Sequence, residues 1–402
     1  MAFPYDVLIA GSGPAGCAAA FDLARAGKRV LLLDKRHFPR PKACACGLTR
    51  KTLDALRYTV DPIVEYRCDE IVLQRATSGT IADKSHEIRV RSKTPIAAMA
   101  VRERFDAFCL EQTLAAGAKG GSVEWLKIEG ITLLDEQSDH VTLIVATENG
   151  PRTFTASALI GADGSNGQTR RLSTQTSLPT GTEPTWYQRG FALEATVPYA
   201  ALPAMLPQGD APRDLVFDFA PIAGGYGWLF PKGDHVNIGV GAFAPDDDPT
   251  AAKLKLVTRA LLAEYTRTKL GVALPAEVTG QYLGMGGHRY TPQGRVLLVG
   301  DAAGLVDPLT GEGIHSAVVS GQAAAAGILG APHAIAQGYA HHLKPLQQTL
   351  AFSHRAALAF YREPARGFKV MRWPLLRNLV LKTYADGLGG TKLLAALAKL
   401  AS

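Results

Sequence analysis

Cysteine is scarce in this chain. Five residues (Cys17, Cys44, Cys46, Cys68 and Cys109) among 402 form an odd, irregular set. That excludes a disulfide framework and points to a reducing compartment. No stretch reaches the roughly 18 uncharged apolar residues of a membrane-spanning helix. The N-terminal run MAFPYDVLIAGSGPAG lacks the basic leader of a signal peptide. A cytoplasmic protein is expected, at most peripheral at a membrane. A nucleophile elbow, a metalloprotease motif, a P-loop, repeats and low-complexity segments are also missing. No second Cys/His cluster matches Cys44-x-Cys46, so no metal is expected.

What is present suits an ordinary globular protein of two or three interleaved domains: 47% hydrophobic and 20% charged residues. The net charge of +7 is uneven. Residues 341–402 hold ten Lys or Arg against Glu363 and Asp386, a local net of +8. Such a basic tail attracts a membrane surface, nucleic acid or an anionic substrate, or is simply a solvated helical face. Residues 373–384 (WPLLRNLVLKTY) mix apolar and cationic side chains, a face that suits an anionic lipid surface or equally an amphipathic cap over the core; no nucleic-acid partner is expected.

Residues 5–10 (YDVLIA) read as a buried strand and residues 17–26 as an alanine-rich helix. Residues 29–33 (RVLLL) read as a second buried strand closing on Asp34. Between strand and helix stands Gly11-x-Gly13-x-x-Gly16. Gly11 permits the tight turn, Gly13 lets the backbone approach a pyrophosphate, and Gly16 lets the helix pack on the strand. Asp34, about 20 residues on, is placed to accept hydrogen bonds from an adenosine ribose. A third buried strand, residues 295–299 (RVLLV), ends on Gly300-Asp301, and Asp307-Pro308-Leu309-Thr310-Gly311-Glu312-Gly313-Ile314 leads into a small-residue helix at 314–329. Asp301 suits a ribityl hydroxyl. The glycines bring N–H groups at a helix start toward the N1/O2 edge of a flavin, where positive dipole stabilises the reduced anion. The plainer alternative is a strand–turn–helix with an N-capping Asp.

Elsewhere, residues 69–100 suggest short strands, 102–115 a helix, and 157–160 a strand running into Gly161-Ala162-Asp163-Gly164. Residues 186–243 look strand-like, residues 246–249 (DDDP) end that block, and 250–269 read as a helix.

The three glycine-and-acid segments resemble the fingerprints of group A flavoprotein monooxygenases and their relatives. Within that superfamily the likeness is greatest to the geranylgeranyl reductase group. Lys42-Ala43-Cys44-Ala45-Cys46-Gly47-Leu48 is similar to its K-x-C-G-G-G-L, and Trp228-Leu229-Phe230-Pro231-Lys232 to its W-x-F-P-K. The expected fold is α/β: a Rossmann-type FAD-binding domain (1–68, 101–185 and 280–340), interleaved with a strand-rich α+β substrate domain (69–100 and 186–279), and a basic helical C-terminal segment (341–402).

The resemblance implies that Gly11, Gly13, Gly16 and Asp34 hold the adenosine diphosphate half, with Pro14, Ala15 and Lys35 beside them. It puts Arg102 against the flavin from a helix start, Asp163 near the nucleotide junction and Asp301 on the ribityl chain. Gly311, Gly313 and Ile314 would lie along the isoalloxazine. Cys44, Cys46 and Trp228 are the candidate catalytic residues.

Ala45 and Cys46 depart from the family's paired glycines. The cysteines would form a redox couple or tune access to the flavin; alternatively Cys44 packs as a small apolar residue and Cys46 merely replaces glycine. Trp228, Phe230 and Pro231 would wall off a dry pocket or serve as core.

Two functions follow. The first is an FAD-dependent reductase acting on carbon–carbon double bonds of a hydrophobic, prenyl-like substrate. The alternative is a flavin-dependent monooxygenase hydroxylating an aromatic small molecule or a peptide side chain. A halogenase is disfavoured by the lack of a W-x-W-x-I-P run, and a non-enzymatic flavin carrier ranks last. With no second Gly-x-Gly-x-x-Gly after a strand, NAD(P)H would bind without its own Rossmann domain, or another electron donor serves.

Overall fold

The computed structural model describes residues 3–75, 87–174, 183–204, 213–243, 245 and 252–387. Five parallel strands form the first sheet, in the order Val296–Leu298, Ala158–Gly161, Val7–Ala10, Arg29–Asp34 and Ser122–Lys127. The first three are buried at every residue, as parallel strands covered on both faces require. Alternation along the central strand explains the two covers. Val7 and Ile9 join a core with the helices Pro14–Arg25, Arg102–Leu114 and Ile314–Gly330. Leu8 faces the other way, into a core with the antiparallel strands Gly130–Glu136, Val141–Thr147 and Gly150–Ala156.

A second sheet has seven strands, in the order Thr279–Met285, Gln188–Pro198, His235–Ala242, Gly225–Pro231, Leu215–Asp218, Glu70–Gln74 and Glu87–Arg91. One face carries Phe217, Tyr226, Trp228 and Phe230, and the other packs on the helix Arg259–Leu270. A three-stranded sheet, Gly47–Thr49, Ala97–Ala100 and Val64–Cys68, takes strands from both sides of residue 69. Ala97–Ala100 therefore pairs with the N-terminal segment rather than with the large sheet.

The glycines Gly284 and Gly287 open no α-helix; they allow backbone approach between the two sheets. A Cβ on Gly284 would lie 2.1 Å from the Asp301 carbonyl oxygen, and one on Gly287 2.2 Å from that of Ala303. The helix expected over 250–269 divides. Ala252–Leu256 is a 3₁₀ turn, and the Thr258 hydroxyl caps Arg259–Leu270 by accepting the Leu261 N–H at 3.1 Å. Residues 246–249 lie outside the described residues. The C-terminal region is helical at Ile335–Arg362, Pro364–Met371 and Pro374–Asp386. Residues 388–402, with Lys392 and Lys399, lie outside the description. Among the described residues no helix is long and apolar enough to cross a membrane.

Candidate functional site

A cavity of about 630 Å³ runs from the glycine turn after the first strand to the aromatic face of the seven-stranded sheet. Gly11, Gly13, Pro14, Ala15, Asp34, Lys35, Arg102, Asp163, Asp301, Gly311, Gly313 and Ile314 line it, as do Cys44, Cys46 and Trp228. Gly16 stands behind the wall. A Cβ there would meet the Gly11 carbonyl oxygen at 1.9 Å, so only glycine lets the helix seat on the turn. Gly11 itself has φ +107 and passes under the Ala162–Asp163 backbone, a second reason against a side chain.

At the nucleotide end, Asp34 accepts the Ser12 N–H at 2.7 Å and the Arg36 N–H at 2.9 Å, which fixes the turn relative to the second strand. Arg40 reaches over Gly13, where a Cβ would lie 3.7 Å from its Nη2, and forms an ion pair with Asp106 at 3.1 Å. Its buried Nε has no partner. Arg102 donates to the other Asp106 oxygen at 2.7 Å. An open glycine turn, a helix N-terminus and an unmet guanidinium donor suit a pyrophosphate.

Asp163 serves its own loop, accepting the N–H and hydroxyl of Thr169 at 2.9 and 3.0 Å. Its other oxygen, Oδ1, is buried without a partner. Asp301 is raised by burial, and half-buried Lys42 opposes that rise. Gly311, at φ +67, and Gly313 leave a backbone shelf at the start of Ile314–Gly330, whose N-terminal dipole points positive charge at the cavity. These groups fit an FAD: acid and turn for the adenosine half, cations for the phosphates, and a helix start for the flavin ring.

The far end is built differently. Phe217, Tyr226, Trp228, Phe230, Phe243 and Tyr384 line it. The Trp228 indole N–H donates to Asn237 Oδ1 at 2.7 Å, which satisfies its one polar atom and fixes the ring. Among these walls Glu194 is 8% exposed, and its Oε1 accepts the Cys44 N–H at 2.7 Å. Burial pushes Glu194 up to about 8, and the charge of Cys44 adds to the rise, so its carboxyl is largely protonated at neutral pH. Lys232, 2% exposed, donates to the Ala45 carbonyl at 2.6 Å and the Cys46 carbonyl at 3.4 Å, pinning the cysteine loop. Burial lowers its pKa.

Sequence reasoning missed Glu194 as a site residue, because its strand carries no motif. Lys232 closes the Trp228-to-Lys232 run in the sequence, and that run alone does not reveal its bonds to the cysteine loop. Among the described residues the one trio able to share a metal ion, Glu65, Asp234 and His235, includes neither cysteine.

Residues 4–206 match the FAD binding domain family. The chain is 31% identical to digeranylgeranylglycerophospholipid reductase 1 of Methanopyrus kandleri, over 80% of this chain and 79% of that protein. It is 31% identical to menaquinone reductase of Mycolicibacterium smegmatis, over 80% and 75%. A geranylgeranyl bacteriochlorophyll reductase-like structure from Thermoplasma acidophilum superposes with a TM-score of 0.73 at 20% identity, covering 98% of this chain and 96% of the other.

Proposed function

The chain belongs to the geranylgeranyl reductase family of FAD-dependent oxidoreductases, and from that premise we propose that it reduces carbon–carbon double bonds in a prenyl-like hydrophobic substrate. The observation that carries this reading is the aromatic end of the cavity, with the buried Glu194 carboxyl among its walls. An alkene offers no polar handle, so apolar walls bind it and exclude water while a single group supplies a proton. The named substrates of two relatives, digeranylgeranylglycerophospholipid and geranylgeranyl diphosphate, both bear such chains.

In this reading FAD, held by the residues that line the cavity, would supply the hydride for one alkene carbon. The Glu194 carboxyl gives its proton to the other, and the carboxylate regains a proton from water. Trp228 and Phe230 hold the alkene flat; Lys232 and Glu194 keep the cysteine loop at its place. Gly11, Gly13, Pro14, Ala15, Asp34 and Lys35 hold the nucleotide half, Arg102 meets the flavin from its helix start, and Asp301, Gly311, Gly313 and Ile314 hold the ribityl and ring half. Asp163, already bonded within its loop, acts by shaping the junction. Residues 1–68, 101–185 and 280–340 then form the cofactor domain and 69–100 with 186–279 the substrate domain, with Ala97–Ala100 crossing over to the small sheet of the N-terminal segment.

The same reading makes the protein cytoplasmic and sets residues 341–402 against an anionic lipid surface, from which a prenyl lipid enters. Trp373 and Leu375 are 69% and 66% exposed beside exposed Arg366, Lys369 and Arg372, which supports that placement. The deciding experiment mixes anaerobically reduced holoenzyme with a geranylgeranyl lipid and reads product mass and flavin absorbance. Products heavier by two hydrogens per turnover are expected. Oxygen-dependent hydroxylation of an aromatic compound, with no anaerobic reoxidation by the lipid, would sink the proposal.

A further inference from the structure

Alkene reduction makes no use of the second cysteine, yet the chain keeps it at a cost. Cys46 has φ +47, one of two non-glycine residues with positive φ among those described. Left-handed backbone strains a residue with a Cβ but not glycine. The loop is held in that shape from several sides. Lys232 binds the Ala45 and Cys46 carbonyls, the Ala100 N–H donates to the Cys46 carbonyl at 3.2 Å, and Glu194 holds the Cys44 N–H. Within it the chain doubles back, so that the Cys46 N–H reaches the Cys44 sulfur at 3.3 Å. Both cysteines line the cavity that receives the FAD, and neither is disulfide-bonded.

The two thiols are chemically unlike. The Cys46 thiol and the Arg102 guanidinium hold Cys44 well below the usual thiol range. The bond to Cys44 and burial push Cys46 well above it. These opposite directions favour a thiolate at Cys44 and a thiol at Cys46. The other titratable groups facing it are Lys232, Glu194, Asp301 and, through Arg102, Asp106.

We propose that Cys44 and Cys46 are a reversible dithiol–disulfide couple that exchanges two electrons with the FAD in the same cavity. In the oxidising direction the Cys44 thiolate and the Cys46 thiol join in a sulfur–sulfur bond. The electron pair and the Cys46 proton pass to the oxidised flavin, giving its reduced anion, so atoms, charge and electrons balance. The reverse step restores thiolate and thiol. Disulfides of this sort in reducing compartments are transient and catalytic rather than structural. The couple works as a second two-electron store beside the flavin, whatever substrate the enzyme takes.

The test uses holoenzyme oxidised with diamide, desalted, and then photoreduced anaerobically so that electrons enter only through the flavin. Alkylation and mass analysis of the peptide carrying both cysteines reads the result. The expected outcome is a peptide two hydrogens lighter and unlabelled before illumination, and doubly labelled after it. The Cys46→Gly variant, whose backbone suits glycine, should hold FAD and take one two-electron equivalent where the oxidised wild type takes two. A peptide already doubly labelled after diamide, or one still unlabelled once the flavin is fully reduced, overturns the proposal. Neither outcome bears on which substrate is reduced.

Discussion

The parallel sheet and the seven-stranded sheet meet at one cavity and bring opposite materials to it. The parallel sheet contributes backbone: glycine turns, helix starts, and strands whose side chains are apolar and buried. The seven-stranded sheet contributes side chains: Glu194, Lys232 and Asn237 are 8%, 2% and 6% exposed amid aromatic rings. A phosphate or flavin edge is met by N–H groups that any sequence carries, provided glycine allows the approach. A proton or a fixed aromatic wall needs specific side chains, and burying them is unfavourable unless each is bonded. The two halves should therefore fail differently when mutated.

The largest stability effect is expected in the side-chain half. Lys269 and Asp218 form an ion pair at 2.6 Å with side chains 5% and 3% exposed, and Lys269 also donates to Gln74 Oε1 at 2.8 Å. Lys269→Met leaves the Asp218 charge buried and unpaired, which should lower stability by about 3–5 kcal/mol. Adding Asp218→Asn should recover part of that loss. Urea unfolding of both proteins checks it; equal stability of the single and double variants would show that the pair is not coupled.

The backbone half is probed by two glycines. Gly16→Ala forces its new methyl group to within 1.9 Å of a carbonyl oxygen, so the helix must shift, at about 1–3 kcal/mol with loss of bound FAD. Gly13→Ala has open space, its nearest atom the Arg40 Nη2 at 3.7 Å. It should keep the wild-type melting temperature yet retain less FAD on purification, because its methyl group occupies the approach to the phosphates. Equal flavin content in wild type and Gly13→Ala would remove Gly13 from the cofactor site.

This contrast also decides what could be read in the sequence. The backbone half is local: Gly11 to Asp34 spans one strand–turn–helix–strand, and its run of apolar residues between glycines announces it. The strand Arg29–Asp34 and the helix Ile314–Gly330 fall where that pattern puts them. The side-chain half is assembled from afar. Glu194 bonds Cys44 across 150 residues and Lys232 bonds Ala45 across 187, separations that leave no periodic trace. Glu194 sits on a strand where a polar residue reads as solvent-facing. The break before Arg259–Leu270 was legible in Thr258, a capping residue, but the apolar residues on either side masked it.

A smaller effect on stability, and a sharper one on rate, concerns Glu194. Its pKa stands at about 8 instead of the ordinary 4.5, chiefly because burial disfavours the charged form. The folded chain therefore holds the proton more tightly than the unfolded one. The resulting stability is complete below about pH 4.5 and is lost as pH rises through about 8. If the proton it holds is the one delivered to the alkene, kcat/KM for reduction should be level below pH 8 and fall about tenfold per unit above it. Glu194→Gln should flatten that limb and lower kcat by roughly 10²–10⁴-fold.

The smallest effect is expected where neither half reaches. Arg50 and Asp386 pair at 2.6 Å with side chains 26% and 40% exposed, tying the helix Pro374–Asp386 to the short helix Arg50–Ala55 that follows the strand Gly47–Thr49. Exposed pairs of this kind contribute about 0–1 kcal/mol, so Asp386→Asn should hardly move the melting temperature. Tyr384, two residues earlier, lines the cavity, so the same substitution acts on the wall that a prenyl chain would touch. A change in KM for a geranylgeranyl lipid without a change in stability would mean that this helix serves the substrate rather than the fold. An equal fall in both would make it an ordinary helical cap. Salt distinguishes these outcomes further, because raising ionic strength weakens the exposed pair in the wild type and leaves Asp386→Asn unaffected.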